Sequence, residues 1–165
     1  MSNRIRIRKL EPEAYKIMYD FEEYLKSNQP YMTSSQIEAL IKKGFTFGAH
    51  SIDHPNYSNL SVEDQITQTV KSSNDISQKF ELPYKVFSFP FTDYGLSKIF
   101  FESINKSLTF DITFGSAGLK SDIQKNHIQR IPLEEYDFSA KMRVKREYFY
   151  YVLKTPINLN TIKRT

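Results

Sequence analysis

Short apolar runs alternate with longer amphipathic segments along most of this chain of 165 residues. Runs of this kind occupy positions 45–49, 86–89, 110–114 and 127–131. Segments with helical periodicity lie between or beside them, at 33–44, 61–79, 96–105 and 139–154. Strands that alternate with helices of such lengths form βαβ units. The pattern therefore predicts an α/β fold in which parallel strands alternate with helices.

Length and local pattern also predict how the chain is organised. A single domain over residues 1–165 is expected for a chain of this size. Within it we expect an N-terminal helical extension at 1–30, with a helix over 12–26, followed by an α/β domain at 31–156. Ile5 and Ile7 alternate with arginines and are compatible with one short edge strand.

Composition narrows the chemistry. The chain has no cysteine, so thiolate ligands are excluded and any metal must be held by histidine and carboxylate. Basic residues gather near both ends, and the net charge is +4. Because such clusters are usually solvated faces, no nucleic-acid partner is expected. No apolar stretch approaches the length of a transmembrane segment, and the basic N-terminus lacks the apolar region of a secretory signal peptide.

Two of the three histidines lie in the pentapeptide His50-Ser51-Ile52-Asp53-His54, directly after the apolar run 45–49. Catalytic zinc sites use three protein ligands and keep one position for water. One interpretation is that His50 and His54 form half of a metal site at the carboxyl end of a strand. The alternative is chance spacing on a surface loop.

A second polar segment follows the next strand along the chain. Pro90 ends the run 86–89, and Asp93 comes three residues later. Functional side chains gather at the carboxyl ends of parallel strands, so we expect this segment and the histidine pair to form one site. Asp53 and Asp93 are candidates for a carboxylate ligand. The alternative is that each stabilises its own turn.

These residues resemble a known family. His50-Ser51-Ile52-Asp53-His54-Pro55, followed by Asn56-Tyr57-Ser58-Asn59-Leu60-Ser61 and a helix, resembles the second motif of the NodB-type polysaccharide deacetylases. Ser88-Phe89-Pro90-Phe91, running on to Asp93-Tyr94-Gly95, resembles their third motif. The resemblance spans about residues 29–133 and is most specific in the histidine motif.

The resemblance implies a partial or distorted (β/α) barrel and a divalent metal, often zinc. In the family this metal activates water to hydrolyse N-acetyl groups of a sugar polymer such as peptidoglycan. His50 and His54 match the two metal-binding histidines, and Ser51 matches the hydroxyl residue that orients their loop. Phe91 stands where the family has a Tyr whose main-chain N–H helps to hold the oxyanion. Family members are often exported or associated with the cell envelope.

The family's first motif has no counterpart here. It is a Thr-Phe-Asp-Asp-Gly-like strand end that supplies the general base and a carboxylate ligand, and positions 1–48 contain no such sequence. Ser88 stands where the third motif usually carries an Arg. His127 is either the late general acid of the family or an ordinary, partly exposed histidine. We therefore expect an incomplete deacetylase-like domain, whose sheet is completed by a missing N-terminal segment or by a partner.

Three functional hypotheses follow. The first is a metal-dependent hydrolase that deacetylates an N-acetylated glycan. The second is a relative without turnover that binds glycan or metal, and the third is a structural or interaction domain. Because the acidic motif is absent, we predict weak or no turnover from this chain alone.

Overall fold

The computed structural model describes residues 21–133 and 139–164. The chain divides into two compact units, residues 1–47 and residues 48–165. The predicted edge strand at Ile5 and Ile7 lies outside the described residues, as does most of the helix predicted over 12–26. The predicted division of the domain at residue 30 stays a prediction.

Within the first unit, the described residues from 21 onward form two helices, α1 (Phe21–Asn28) and α2 (Ser34–Lys42). A capping box begins α2: the Gln36 N–H donates to Thr33 Oγ1 at 3.2 Å, and the Thr33 N–H donates to Gln36 Oε1 at 2.8 Å. This arrangement satisfies two amides that have no partner inside the helix. The helix predicted within 33–44 is confirmed, and Thr33 is its N-cap.

The second unit consists of helices and parallel strands. In chain order its elements are α3 (Val62–Lys79), β1 (Val86–Ser88), α4 (Lys98–Ser107), β2 (Ile112–Gly115), β3 (Ser121–Asp122), β4 (His127–Gln129), α5 (Ala140–Lys154) and β5 (Thr161–Ile162). One sheet has the order β1-β2-β4 and a second pairs β3 with β5, all in parallel. The predicted α/β character with parallel strands is confirmed. The distorted barrel is not shown, since the described residues form only these two small sheets. Among them, no helix is long and apolar enough to cross a membrane.

The predicted strand over 45–49 is wrong for most of its length. Only Ala49 pairs, through a parallel bridge to Phe87 in β1. The Phe45 N–H instead donates to the Leu40 carbonyl at 3.1 Å and so completes the end of α2. An amide used in this way cannot extend a strand ladder. Gly48 allows the close approach to β1, because a Cβ there would lie 2.6 Å from the Val86 carbonyl oxygen.

The core between the sheet and helices α3 and α4 is largely aromatic. Its fully buried side chains include Tyr57, Phe87, Phe89, Phe100 and Phe110. The face that α3 buries is polar, in contrast to the apolar face expected for such a helix. Its buried hydroxyls donate to carbonyls one turn earlier, for example Thr69 Oγ1 to the Gln65 oxygen at 2.8 Å. Local bonds of this type satisfy the buried hydroxyls of Thr69 and Ser73 against the aromatic rings, whereas Gln65 Oε1 is buried without a partner among the described residues.

Candidate functional site

His50 lies at the carboxyl edge of the three-stranded sheet. It follows Ala49, whose N–H donates to the Val86 carbonyl at 2.8 Å and whose carbonyl accepts from the Ser88 N–H at 3.0 Å. These two bonds fix the register of the histidine against the end of β1. His50 thus lies at the end of a paired segment, as predicted, but this segment is the single parallel bridge of Ala49 and not a full strand.

The imidazole rings of His50 and His54 face each other. Their Nε2 atoms are 3.1 Å apart, and the rings meet edge to face with centroids separated by 4.8 Å. His50 Nδ1 donates to the Ser88 carbonyl at 2.7 Å. This bond fixes the tautomer in which the Nε2 of His50 carries the lone pair, as in histidines that bind metals.

Electrostatics keep His50 neutral. Partial burial of the ring lowers its pKa below the usual value, and the bond to the Ser88 carbonyl acts in the opposite direction. Electrostatic repulsion from His54 and Arg130 lowers the pKa of His50 further. A neutral imidazole is the form that binds a metal, so the surroundings favour ligation over protonation.

The geometry of the two rings fits a shared cation. Two nitrogens at the usual zinc distance and a tetrahedral angle are about 3.3 Å apart, close to the 3.1 Å between the two Nε2 atoms. Both residues are exposed, so a ligand between the rings has access to solvent. His50 and His54 are thus able to hold one divalent cation from one side.

The loop that carries the two rings has an unusual backbone. Ser51 and His54 have φ values of 71° and 51°, in the left-handed region that costs a non-glycine residue about 1–2 kcal/mol. Ser51 Oγ accepts from the His54 N–H at 2.9 Å, which stabilises this turn. The predicted orienting residue therefore contacts the histidine loop directly. Strained backbone of this kind is concentrated at functional sites.

Gln68 on α3 fixes the middle of the loop. Its Oε1 accepts from the N–H groups of Ile52 at 2.9 Å and Asp53 at 3.2 Å, and its Nε2 donates to Asp53 Oδ2 at 3.2 Å. Asp53 therefore contacts α3 through Gln68, and its predicted supporting role stays a prediction. It does not come within 4.8 Å of both imidazoles as a third ligand.

We expect Gln68→Ala to weaken zinc binding by about 10- to 100-fold, as loss of a residue that orients ligands commonly does. The reason is that the amides of Ile52 and Asp53 lose their partner and the two rings no longer converge. Competition against a chromophoric chelator measures the affinity. Gln78→Ala, on an exposed turn of the same helix, is the matched control. Equal affinities of the two variants would contradict the role of Gln68.

Phe91 lies beside the histidines, beyond the buried Pro90 that ends β1. Its ring contacts the His54 ring with centroids 4.7 Å apart, and its φ is 54°. The Phe91 carbonyl accepts from Ser116 Oγ at 2.8 Å. Within the described part of the chain, the Phe91 N–H has no hydrogen-bond acceptor. The residue matched to the oxyanion donor is thus next to the histidine pair and has an amide available.

A cavity of about 580 Å³ connects these residues. The residues around it come from the carboxyl ends of different strands: His50 and His54, Phe91 after β1, Ser116 after β2, and Arg130 after β4. Arg130 Nε donates to the Gly115 carbonyl at 2.9 Å, and its Nη2 to the Phe89 carbonyl at 3.2 Å. The carboxyl edge of the sheet therefore brings two imidazoles, one amide and one fixed guanidinium to a single opening.

Asp93 and His127 belong to a different cluster. His127 Nε2 donates to Asp93 Oδ2 at 3.0 Å, and His127 Nδ1 lies 2.8 Å from Thr113 Oγ1. Asp93 also accepts from Arg164 at 2.6 Å, and Arg164 binds Asp122 at the same distance. His127 is thus buried, with both ring nitrogens bonded, and it does not line the histidine cavity. Its predicted role as general acid remains a prediction.

The described residues contain one group of three His, Asp or Glu side chains close enough to share a metal, namely Asp93, Asp122 and His127. The guanidinium of Arg164 already neutralises both of its carboxylates. The group does not include His50 or His54. Within residues 21–133 and 139–164, the histidine pair therefore has no carboxylate as a third ligand.

We expect Asp93 to make stability depend on pH in acid. Burial alone would raise its pKa, but hydrogen bonds from His127, Arg164, Gln129 and the Ser116 N–H hold the pKa well below the usual range. The stabilisation is complete above about pH 4, the pKa of an unfolded Asp, and is lost as the pH falls towards the folded pKa.

Urea unfolding between about pH 6 and about pH 2 measures this effect. The free energy of unfolding of the wild type should fall with decreasing pH more steeply than that of Asp93→Asn. Asp75→Asn, an exposed carboxylate on α3, should keep the wild-type slope. Parallel curves for wild type and Asp93→Asn would show that Asp93 does not contribute.

Four residues of the two clusters were not predicted from the sequence, namely Gln68, Ser116, Arg130 and Arg164. Ser116 directly follows β2 and Arg130 directly follows β4. The rule that functional side chains gather at the carboxyl ends of parallel strands therefore applies to them, as it does to His50. Gln68 and Arg164 gave no local signal, because their partners lie 15 and 71 residues away in sequence.

One comparison with known proteins identifies a family. The family model described as polysaccharide deacetylase matches residues 17–106, which is 90 of the 165 residues. No curated protein and no solved structure matches the chain. The matched segment contains both cavity histidines and Phe91. Because it covers more than half of the sequence, the chain belongs to the polysaccharide deacetylase family.

Proposed function

We propose that this chain provides the histidine half of the metal site, and the adjoining substrate cavity, of a hydrolase that removes N-acetyl groups from a sugar polymer. The observation that carries the proposal is the pair of facing Nε2 atoms, 3.1 Å apart, at the mouth of a cavity in a deacetylase-family domain. An N-acetylated glycan, such as a peptidoglycan-like polymer, is the proposed substrate.

His50 and His54 would hold the divalent cation, for which zinc suits a cysteine-free site with imidazole ligands. Such a cation polarises an amide carbonyl and lowers the pKa of bound water. The Ser88 carbonyl keeps the His50 ring in its binding orientation, and Gln68 holds the loop between the two rings. Ser88 and Gln68 would thus hold the Nε2 atoms of His50 and His54 in position before the cation binds.

Two groups beside the histidines can stabilise negative charge on an acetamide oxygen. The Phe91 N–H is the proposed hydrogen-bond donor, and one such donor contributes about 3–4 kcal/mol to the barrier reduction. Arg130 adds a positive charge whose position is fixed by two carbonyls. This guanidinium belongs to the residue that directly follows β4, whereas the family's third motif places an Arg at the position of Ser88.

Turnover by this chain alone should be weak. Proton abstraction from water requires a base, and among the described residues no carboxylate lines the cavity. Neither Asp53 nor Asp93 is in place for this role, because each is bonded elsewhere. The proposal therefore assigns binding and charge stabilisation to this chain and predicts a low rate.

Acetate release from N-acetylglucosamine oligomers, measured with added zinc or cobalt, tests the proposal. We expect slow, metal-dependent release that His50→Gln abolishes, while Asp75→Asn retains the wild-type rate. Metal-independent release, or release that survives loss of both histidines, would contradict it.

A second candidate is a relative that binds glycan without hydrolysing it. The absence of a third ligand and of a base among the described residues favours this function. Titration of the protein with the same oligomers distinguishes the hydrolase from the non-catalytic relative. Binding of the oligomers with no acetate release at any metal concentration supports the non-catalytic function.

A further inference from the structure

Helix α5 contacts the rest of its unit through polar side chains and exposes apolar side chains on its outer face. Its inner face is attached by polar contacts: Glu147 Oε2 accepts from the Leu119 N–H at 3.0 Å, Arg143 pairs with Glu147, and Tyr151 Oη lies 3.3 Å from Ser121 Oγ. None of its side chains with described burial is fully buried. A surface helix of a globular protein normally turns its apolar side inward. The exposure of apolar side chains on the outer face of α5 therefore requires another explanation.

The outer face of α5 carries an apolar stripe. Met142, Phe149 and Leu153 are 53%, 62% and 55% exposed. At roughly 100° of rotation per residue, these three positions fall within about 20° of one line along the helix. Contiguous exposed apolar side chains of this kind mark an interaction surface.

Basic residues border the stripe on both sides. By the same helical geometry, Lys145 lies about 60° to one side of it and Arg146 about 40° to the other. We call Met142, Lys145, Arg146, Phe149 and Leu153 the α5 surface. Long basic side chains can lay their stems along an apolar surface and keep the charge at its edge.

Charge is concentrated in this part of the chain. Residues 139–164 contain one acidic residue, Glu147, and seven Lys and Arg side chains, of which Arg164 is buried in ion pairs; the remaining residues have 16 basic and 18 acidic side chains. Tyr150 lies at the edge of the α5 surface, with Arg146 and Lys154 at 5.5 and 5.3 Å from its ring centroid. Tyrosine with neighbouring cations is typical of the water–membrane boundary.

We propose that the α5 surface binds an anionic lipid bilayer, with α5 parallel to the membrane plane and its apolar stripe at the boundary between the headgroups and the acyl chains. A bilayer offers an apolar layer for Met142, Phe149 and Leu153 directly beneath phosphates for Lys145 and Arg146. Ile157 and Leu159, which follow the helix, are also exposed apolar side chains. This inference does not depend on the proposed hydrolase function.

Other occupants fit the α5 surface less well. In a symmetric dimer, the α5 surface, which has two cations and no carboxylate, would face an identical surface and leave these cations without an anionic partner. A polyanion such as a nucleic acid would neutralise the charges but leave the aliphatic side chains of Met142 and Leu153 in water. An anionic lipid bilayer contacts the apolar stripe with its acyl chains and the basic side chains with its phosphates.

A fluorescence experiment tests the proposal on the full chain, which contains no Trp. Phe149→Trp places a reporter in the stripe, and Ile99→Trp places one at an exposed position on α4. With vesicles of phosphatidylglycerol and phosphatidylcholine, the emission of the Trp at 149 should shift to the blue, while that at 99 should not. Absence of a shift at 149, or equal shifts at both positions, would overturn the proposal.

Vesicle co-sedimentation provides the charge test. Binding of the wild type to anionic vesicles should exceed binding to pure phosphatidylcholine, and added salt should weaken it. Lys145→Glu combined with Arg146→Glu should reduce binding on the order of tenfold or more, while Ile99→Ser should not. Equal binding to both lipids overturns the proposal, as does a concentration-dependent dimer that Phe149→Ser abolishes.

Discussion

Arg164→Ala is expected to lower the free energy of unfolding by about 3–5 kcal/mol, the usual cost of leaving a buried charge without its partner. Only 2% of the Arg164 side chain is exposed, and its Nη2 donates to both Asp93 Oδ2 and Asp122 Oδ2 at 2.6 Å. Its Nη1 donates to the carbonyls of Asp93 and Leu96. Truncation would leave two buried carboxylates facing each other without the cation that neutralises them.

Burial alone would lower the pKa of Arg164, but hydrogen bonds and charge attraction from Asp122 and Asp93 raise it. The guanidinium therefore stays charged, and it also lies 4.5 Å above the Phe101 ring. The bonds to Asp93 connect the C-terminal strand β5 to the segment that follows Phe91. Loss of Arg164 should thus also disturb the wall of the histidine cavity.

Denaturant unfolding at neutral pH measures the effect. Lys163→Ala is the matched control, because its side chain is exposed next in sequence and its loss should change stability by less than about 0.5 kcal/mol. Adding Asp122→Asn to Arg164→Ala should restore part of the lost stability, since one uncompensated charge is removed. A loss below about 1 kcal/mol for Arg164→Ala would contradict this account.

Replacing His50 or His54 by Ala is expected to weaken zinc binding by at least about 100-fold, more than the loss of an orienting residue costs. Among the described residues, these rings supply the two nitrogens that face the proposed cation, so neither ring can compensate for the other. Competition with a chelator at neutral pH measures the affinity. Either variant should keep a wild-type melting temperature in the absence of metal, because both residues are exposed.

His127→Gln is the informative control for this experiment. His127 belongs to the other group of possible ligands, together with Asp93 and Asp122. Its replacement should reduce stability and leave zinc affinity unchanged. If zinc affinity instead depends on His127 and not on His50, the metal binds in the buried cluster and the assignment made here is wrong.

Local signals in the sequence predicted most of the secondary structure. The capping residue Thr33 and the apolar runs of β1 and β2 lead to elements within a few residues of those observed. The failure at Phe45 has a tertiary cause, since its amide completes α2 and is not available to a strand. β3 and β5 are two residues long each and carry too little periodic signal to be recognised before the fold brings them together.

The candidate site was predictable only where a residue type that binds metals follows a run of apolar residues in the sequence. His50 and His54 were found because they directly follow an apolar run, and the structure brings their nitrogens together. Arg130 was missed because its role depends on the register of β4 beside β2. Arg164 was missed because its partner Asp93 lies 71 residues away, and a single basic residue near the end of a basic chain gives no sign of burial.

X-ray absorption at the zinc edge of the metal-loaded protein tests most directly whether His50 and His54 share one cation. We predict a single bound zinc whose spectrum contains two imidazole nitrogens at about 2.0–2.1 Å, both of which disappear in the double variant His50→Ala/His54→Ala. A zinc with no imidazole ligand, or an imidazole signal that persists in that variant, would contradict the account.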